Sequence, residues 1–176
     1  LHDHFGFSSF RDGQKRLAGA ALAGKDALGV LPTGGGKSLC YQVPALALPG
    51  LTLVLSPLIS LMEDQTQRAR RASIPSAFIT STLSGRERRR VLHDAVHGRI
   101  KLLFVAPERL ETPGFLDALA TAGVSLIAVD EAHCISEWGH EFRPSYRRLG
   151  QLRRKLTAPV MALTTTATPR VRRDIL

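Results

Sequence analysis

The stretch "VLPTGGGKSLCYQ" at residues 30–42 decides the fold that this sequence predicts. It runs from an apolar segment through three consecutive glycines at 34–36 into Lys37, Ser38 and residues that favour a helix. Glycines let the backbone turn tightly enough for several N–H groups to face one anion, and the following helix N-terminus adds partial positive charge. A strand, a glycine-rich loop and a helix in this order are typical of a phosphate-binding loop.

This loop carries the side chains that a nucleoside triphosphate and its magnesium ion require. We expect Lys37 to reach the β- and γ-phosphates and the Ser38 hydroxyl to bind Mg²⁺. The common pattern G-x-x-x-x-G-K-[ST] is broken at its first position, where this chain has Leu31. A purely structural turn is the alternative, and the GKS ending disfavours it. The predicted nucleotide-binding residues of the loop are Thr33, Gly34, Gly35, Gly36, Lys37 and Ser38.

Six short apolar runs alternate with segments of helical periodicity along the chain. These runs do not alternate apolar with polar residues, and this favours strands buried on both faces of a parallel sheet. The alternation predicts a single doubly wound α/β domain over residues 1–176, flanked by helices, with its ligand at the carboxyl ends of the strands. The predicted strands lie within 26–32, 51–57, 76–80, 101–107, 125–131 and 159–165.

A second motif, "LIAVDEAH" at 126–133, ends in two carboxylates that complement the loop. An apolar strand running into Asp130 and Glu131 places both carboxylates at a buried strand end, where they are costly without a cation or hydrogen bonds. We expect Asp130 to hold Mg²⁺ through water and Glu131 to orient and deprotonate the attacking water. A DE pair alone usually marks a helix start, but its position after a phosphate-binding loop favours the catalytic interpretation.

Composition indicates a soluble, folded chain, with 44% hydrophobic and 22% charged residues. No apolar run reaches the roughly 18 residues of a membrane helix, and the N-terminus lacks a signal-peptide pattern. We therefore expect a cytoplasmic location and no membrane partner. Two cysteines, Cys40 and Cys134, are too few for a disulfide framework or a zinc site, and we expect both to be packing thiols.

The chain is basic, with 24 Lys and Arg against 15 Asp and Glu and a net charge of +9. This favours a polyanionic partner. Each arginine cluster by itself is better explained as the solvated face of a helix. The cluster at 86–90, for example, lies on a predicted helix that begins with a capping box formed by Ser84 and Glu87. Charge alone therefore does not identify DNA. The clusters lie at 68–71, 86–90, 147–155 and 170–173.

Five segments together resemble the N-terminal motor domain of RecQ-family DNA helicases of superfamily 2. They are "LPTGGGKSLCYQ" (31–42), "SPLISLMEDQ" (56–65), "APERL" (106–110), "DEAHCISEWGHEFRPSYRRLG" (130–150) and "ALTTTAT" (162–168). The tryptophan-containing loop after DEAH distinguishes this family from other DEAD-box and DEAH-box motors. The resemblance spans essentially the whole chain and implies a RecA-like P-loop domain, ATP and Mg²⁺ as cofactors, and single-stranded and duplex DNA as partners. It also implies 3′-to-5′ unwinding in DNA repair and recombination.

The resemblance assigns adenine recognition to the stretch "FGFSSFRDGQ" at 5–14. The family uses an aromatic ring, an arginine and a glutamine there, at positions that match Phe7, Arg11 and Gln14. A glutamine amide can pair with the N6 donor and the N7 acceptor of adenine while a ring stacks on its face. From the residues alone the phenylalanines of this stretch are candidate core residues, and we expect Phe10 to be one.

The loop at 134–144 resembles the family's aromatic-rich loop, which couples DNA binding to ATP hydrolysis. Trp138, Phe142 and Arg143 stand at the matching positions. A tryptophan and an arginine can stack on unpaired bases and hold a backbone phosphate. From the sequence alone a buried core tryptophan is an equally good explanation, and the resemblance favours the functional one. We expect His133 to link the metal site to this loop or to motif III.

Further segments match the parts of the family that line the DNA groove and the part that relays the nucleotide state. The resemblance makes Ser56, Pro57 and Arg109 contacts to the DNA backbone, which give affinity without sequence preference. Thr164 and Thr166 match motif III, which is expected to relay the nucleotide state between the two sites.

The resemblance also implies a partner domain. In such helicases ATP lies between two RecA-like domains, and the second supplies arginine fingers, an effect worth about 10³ to 10⁵ in rate in other NTPases. The sequence ends at "RVRRDIL" (170–176) with no second pattern of this kind, no four-cysteine zinc module and no winged helix. We expect one domain of a longer protein, with weak hydrolysis on its own.

Two other functions remain open from the sequence. A nucleotide-dependent binding or regulatory module would use the loop as a switch without productive turnover, and Glu131 argues against it because a switch needs no general base. A small-molecule kinase is disfavoured because no segment resembles a lid or an acceptor pocket.

Overall fold

The computed structural model describes residues 1–137 and 142–176. Its centre is a six-stranded parallel sheet with the strand order β1-β6-β5-β2-β4-β3. The doubly wound α/β prediction is confirmed, and each strand overlaps one predicted run. The strands are Ala27–Val30 (β1), Leu51–Leu55 (β2), Ser76–Ile79 (β3), Leu102–Val105 (β4), Val124–Val129 (β5) and Val160–Thr164 (β6).

Helices cover both faces of the sheet. The α-helices are His2–Phe5 (α1), Gln14–Leu22 (α2), Lys37–Ala47 (α3), Ile59–Arg71 (α4), Gly85–Val96 (α5), Phe115–Thr121 (α6), Leu149–Lys155 (α7) and Pro169–Ile175 (α8). Short 3₁₀ turns occupy Pro107–Glu111, Ala132–Ile135 and Pro144–Arg148.

Two apolar cores explain why the strands lack an apolar–polar alternation. On β2, Leu53 and Leu55 belong to one core, which α6 and α7 complete, whereas Val54 belongs to the other core, together with Tyr41 and Met62 of α3 and α4. Every residue of β2 is buried. Burial of one such side chain stabilises the folded state by about 1.5–3 kcal/mol. Side chains on both faces of β2 therefore stabilise this strand in the sheet.

The strand order brings the motifs to one edge of the sheet. The chain crosses from β1 past β6 and β5 to form β2, and all six strands run in the same direction. The segments that follow β1, β2, β5 and β6 therefore leave the sheet at the same edge. They contain the glycine-rich loop, residues 56–58, Asp130 with Glu131, and the residues after Thr164.

Two smaller predictions are confirmed, and one is not. Ser84 and Glu87 form a capping box at the start of α5, with N–H···O distances of 2.8 and 3.3 Å. Cys40 and Cys134 are both buried, as expected for packing thiols. Phe10, expected in the core, is only half-buried and belongs to neither apolar core.

Within residues 1–137 and 142–176, the helices are all too short or too polar to cross a bilayer.

Candidate nucleotide-binding site

The loop between β1 and α3 needs its glycines for two different reasons. Gly34 and Gly36 have φ angles of 72° and 73°, in the left-handed region that residues with a Cβ disfavour. Gly35 has an ordinary φ, but a Cβ there would lie 2.8 Å from the carbonyl oxygen of Pro32. Gly36 is the N-cap of α3, so the positive end of the helix faces the loop.

The glycine-rich loop and the DEAH segment meet in space. The Nζ atom of Lys37 lies 3.9 Å from Oε1 of Glu131, and both side chains are mostly buried. Residues from the ends of β1 and β5 thus share one site, with β6 between them. At this distance the ammonium and the carboxylate form an ion pair, at the edge of the sheet where the glycine-rich loop would hold a phosphate.

Asp130 is a buried carboxylate at the end of β5, only 4% exposed. Burial raises its pKa, and the neighbouring Glu131 charge raises it further, whereas hydrogen bonds from Glu131 N and Gln65 and the charge of Lys37 lower it. The two hydrogen-bond distances are 3.0 Å to Oδ1 and 3.4 Å to Oδ2. A bound cation would favour the ionised form of this side chain.

The oxygen donors at this edge of the sheet fit a magnesium ion. Ser38 supplies a hydroxyl and Asp130 a carboxylate, which are the hard ligands that Mg²⁺ prefers. In the part of the chain that the structure describes, no group of three or more His, Cys, Asp or Glu side chains could hold a metal by itself.

Glu131 has an unusual backbone conformation, with φ 49° and ψ 48°. The left-handed region costs a residue with a Cβ about 1–2 kcal/mol. The conformation places the Glu131 carboxylate between two other predicted site residues, since Oε2 lies 3.4 Å from Nδ1 of His133 while Oε1 faces Lys37. Strain of this kind occurs where surrounding structure holds a functional side chain in place.

His133 connects this carboxylate to the end of β6. Its Nδ1 atom lies 2.9 Å from Oγ1 of Thr164, and both side chains are buried. Because the Thr164 hydroxyl donates its proton to the carbonyl oxygen of Thr166, it accepts from His133 Nδ1. The structure therefore brings together the DEAH histidine and motif III, while Thr166 itself is exposed.

The N-terminal residues contact the glycine-rich loop directly. Gln14 is 1% exposed, and its Nε2 atom donates to the carbonyl oxygens of Gly35 and Gly36, both at 3.1 Å. Its Oε1 atom accepts from Arg11 N, and the Arg11 guanidinium donates to Gly34 O at 2.5 Å.

This arrangement limits what the three predicted adenine-binding residues can do. Nε2 of Gln14 already donates to two loop carbonyl oxygens, so donating to N7 of adenine requires at least one of these bonds to break. Phe7 is 48% exposed and leaves its ring accessible for stacking. Adenine recognition by Phe7, Arg11 and Gln14 stays a prediction.

The direct DNA contacts predicted for Ser56 and Pro57 stay a prediction, which the burial of both residues disfavours. Ser56 N continues the β-ladder by donating to Val105 O. Arg143 contacts the backbone of Pro57, donating from Nη1 to Pro57 O at 3.0 Å. Neither side chain reaches the surface, whereas Arg109 is half-buried.

The aromatic-rich loop is described only in part. Trp138 lies outside the described residues, and Phe142 is half-buried. Sequence reasoning missed Tyr146, whose buried hydroxyl donates to the backbone oxygen of Asp130 at 3.2 Å. It also missed Tyr41 and Gln65. All three are polar residues within the segments that resemble RecQ helicases. Their place in these segments is the sequence signal that could have identified them.

The fold and the site define a P-loop nucleotide-binding domain whose loop faces a DEAH segment. The DEAD/DEAH box helicase family model matches residues 11–175. The chain belongs to the DEAD/DEAH box helicase family.

Individual relatives refine this result. A probable ATP-dependent DNA helicase RecS of Bacillus subtilis is 48% identical over 177 residues, which cover 100% of this chain and 36% of that protein. An ATP-dependent DNA helicase RecQ of Pasteurella multocida is 49% identical over 177 residues, covering 100% of this chain and 28% of that protein. The resemblance to RecQ helicases is confirmed, and the chain spans about a third of the length of these curated relatives.

A solved structure agrees on the fold. The Hef helicase domain of Pyrococcus furiosus aligns with a TM-score of 0.68 and 26% identity, covering 94% of this chain and 36% of that chain. The RecA-like fold predicted from the sequence is confirmed by such helicase neighbours.

Proposed function

We propose that this chain is the ATP-binding motor domain of an ATP-dependent DNA helicase. Within the whole protein it couples hydrolysis of Mg²⁺-bound ATP to movement along single-stranded DNA and to duplex unwinding, with 3′-to-5′ polarity, in DNA repair and recombination. A second RecA-like domain of the same protein completes the ATP site. The names and greater lengths of the RecS and RecQ relatives support this proposal.

One observation carries the proposal: Lys37 Nζ lies 3.9 Å from Glu131 Oε1. A phosphate-binding lysine and a carboxylate that can accept a proton from water are both needed for hydrolysis, and they must face the same phosphoryl group. A loop that only bound a nucleotide would need the lysine without the carboxylate.

Each residue of the site has a definite task in this reaction. N–H groups of the loop and the Lys37 ammonium bind the phosphates, and Glu131 accepts a proton from the attacking water. Ser38 and Asp130 would hold Mg²⁺, which supplies positive charge against the phosphate oxygens when bound. His133 restrains the Glu131 carboxylate and connects it to Thr164.

The DNA-binding part of the proposal rests on Arg143 and on the segments that it joins. Arg143 lies against Pro57 O and also 3.9 Å from Glu108 Oε1, so it joins the segments after β2, β4 and β5. The half-buried Arg109 lies beside this junction in sequence. Backbone phosphates are suitable ligands for such arginines.

The first experiment replaces the proposed general base in the full-length protein. Glu131→Gln should retain ATP binding and lower the rate of DNA-stimulated hydrolysis by about 10² to 10⁴, the usual contribution of a general base. Glu63→Gln on the exposed face of α4 is the matched control and should hydrolyse ATP at the wild-type rate. Unchanged turnover in Glu131→Gln would exclude the general-base role.

The second experiment separates a motor from a switch and tests polarity. The wild-type protein is given partial duplexes with a 3′ or a 5′ single-stranded tail, and strand release is followed with ATP. We expect release only where the protein can enter on the 3′ tail. A regulatory module would bind nucleotide and release neither strand.

A further inference from the structure

Two buried polar side chains near the site have no role in the chemistry described so far. Tyr41 lies on α3 and is fully buried, and Gln65 lies on α4 with 7% exposure. Both are surrounded by an apolar core that includes Phe104, whose ring meets that of Tyr41 edge to face. A phenol and an amide buried there are costly unless their polar atoms are hydrogen-bonded.

Their polar atoms form a chain that ends on a predicted magnesium ligand. The Tyr41 hydroxyl donates to Gln65 Oε1, and Gln65 Nε2 donates to Asp130 Oδ2 at 3.4 Å. Tyr41, Gln65 and Asp130 are therefore joined by consecutive side-chain hydrogen bonds.

The chemistry of the groups fixes the direction of each bond. An amide oxygen only accepts, so Tyr41 must give its single proton to Gln65 Oε1, and the Gln65 amide nitrogen then donates to the Asp130 carboxylate. Burial raises the pKa of Tyr41 well above its usual value, and the Asp130 charge raises it further, which keeps the phenol a neutral donor.

These directions hold the Asp130 carboxylate from two sides. The Gln65 amide holds one oxygen of Asp130, whose other oxygen accepts from Glu131 N. The chain also spans three segments of the fold, since Tyr41 lies on the helix after β1, Gln65 lies on the helix after β2 and Asp130 follows β5.

We propose that Tyr41 and Gln65 are positioning residues that orient the Asp130 carboxylate for magnesium binding. They touch neither the nucleotide nor the cation and act through this ligand. This inference rests on the proposed function, because it assigns a role within the same nucleotide site.

The test measures nucleotide affinity in the full-length protein with and without magnesium. Fluorescent ADP is titrated in excess Mg²⁺ and again in EDTA, and the ratio of the two dissociation constants gives the magnesium-dependent gain. Tyr41→Phe and Gln65→Leu should each reduce this gain about tenfold, the lower end for partners of metal ligands. Affinity in EDTA should stay within about twofold of wild type, because the loop itself is unchanged.

A matched control lies on the same helix. Thr66 is 1% exposed, and its hydroxyl donates to Met62 O within α4 at 2.7 Å. Thr66→Val removes a buried hydroxyl beside Gln65 without touching the chain to Asp130, so it should keep the wild-type magnesium gain. The double variant Tyr41→Phe/Gln65→Leu should lose no more than either single variant, because one broken link already interrupts the chain.

The outcomes separate the two proposals. If the wild-type protein binds the nucleotide but Tyr41→Phe and Gln65→Leu weaken binding equally in Mg²⁺ and EDTA, or not at all, the positioning role is overturned and the proposed function stands. If the wild-type protein binds no nucleotide in either buffer, both are overturned. Thermal melting of each variant identifies folded protein, and either of the two single variants alone decides the question.

Discussion

The proposed phosphate-binding region and the proposed DNA-coupling region of this domain are built in different ways. The phosphate-binding region consists of a continuous loop, residues 31–36, and a carboxylate pair at a strand end, and its members contact one another directly. The coupling region gathers single residues from three segments, with Arg143 reaching Pro57 O and Glu108. The first depends on local backbone conformation and the second on how distant segments pack.

This difference determines how each region responds to substitution. A side chain added in the loop disturbs backbone conformation and nucleotide affinity together. A side chain removed from the coupling region breaks one long-range contact and leaves the loop intact. The expected effects are therefore of two kinds: loss of nucleotide binding, and loss of the coupling between DNA binding and ATP hydrolysis.

Among the substitutions that compare these two regions, the largest effect is expected from Gly36→Ala. A Cβ at Gly36 would contact Nε2 of Gln14, and φ of 73° is strained for alanine, so both the loop and its Gln14 support must shift. Strain of about 1–2 kcal/mol corresponds to roughly a tenfold loss of nucleotide affinity, before the displacement of Gln14 is added.

Gly34→Ala is the matched control for this substitution. Its φ of 72° is equally strained, but nothing lies within 4 Å of the added Cβ. Calorimetric titration with ADP should show a smaller loss for Gly34→Ala than for Gly36→Ala. Equal losses would mean that the contact with Gln14 contributes nothing.

The same difference explains how much could be predicted from sequence. The six strands were found because burial on both faces leaves apolar runs, and Lys37 meets Glu131 because parallel strands end at one edge. These features follow from short, local patterns. The strand order then places the glycine-rich loop beside Asp130 and Glu131.

The coupling region could not be predicted in the same way. Ser56 and Pro57 lie at a strand end, as the sequence indicates, but the hydrogen bond to Pro57 O comes from Arg143, 86 residues along the chain. The chain from Tyr41 through Gln65 to Asp130 likewise depends on which faces of α3 and α4 meet. Neither helix carries that information in its own periodicity.

An intermediate effect is expected from Tyr146→Phe, which removes a contact between the two regions. The buried Tyr146 hydroxyl donates to Asp130 O, so the segment after the aromatic-rich loop is tied to the backbone of a predicted metal ligand. Loss of this hydrogen bond should lower the free energy of unfolding by about 1 kcal/mol. In the full-length protein it should also lower the stimulation of ATP hydrolysis by single-stranded DNA.

The measurements for Tyr146→Phe are urea unfolding and the ratio of DNA-stimulated to basal hydrolysis. Thr66→Val serves as the control, since it also deletes one buried hydroxyl and lies outside this link. A variant that loses stability but keeps the full stimulation ratio would show that Tyr146 only supports the fold.

The smallest effect is expected from Asp26→Asn, in a corner remote from both regions. Asp26 lies between α2 and β1, and its carboxylate accepts from Arg153 Nη2 at 2.6 Å and from Val160 N at 2.8 Å. The Arg153 hydrogen bond, followed by the bond from Val160 N, lowers the pKa of Asp26. Asparagine keeps an acceptor for Val160 N but loses the ion pair, which is worth about 0.5 kcal/mol because both partners are half-exposed to solvent.

The pH dependence of this difference has a definite sign. The folded pKa of Asp26 lies below the unfolded value, which is near 3.8, so the folded state binds the proton more weakly. The stability contribution is therefore complete above that value and disappears as pH falls through the folded pKa. Urea unfolding should show wild type more stable than Asp26→Asn at pH 7 and the two equal near pH 2, with nucleotide affinity and DNA stimulation unchanged at neutral pH. A stability difference that persisted at pH 2 would show that the ion pair is not its source.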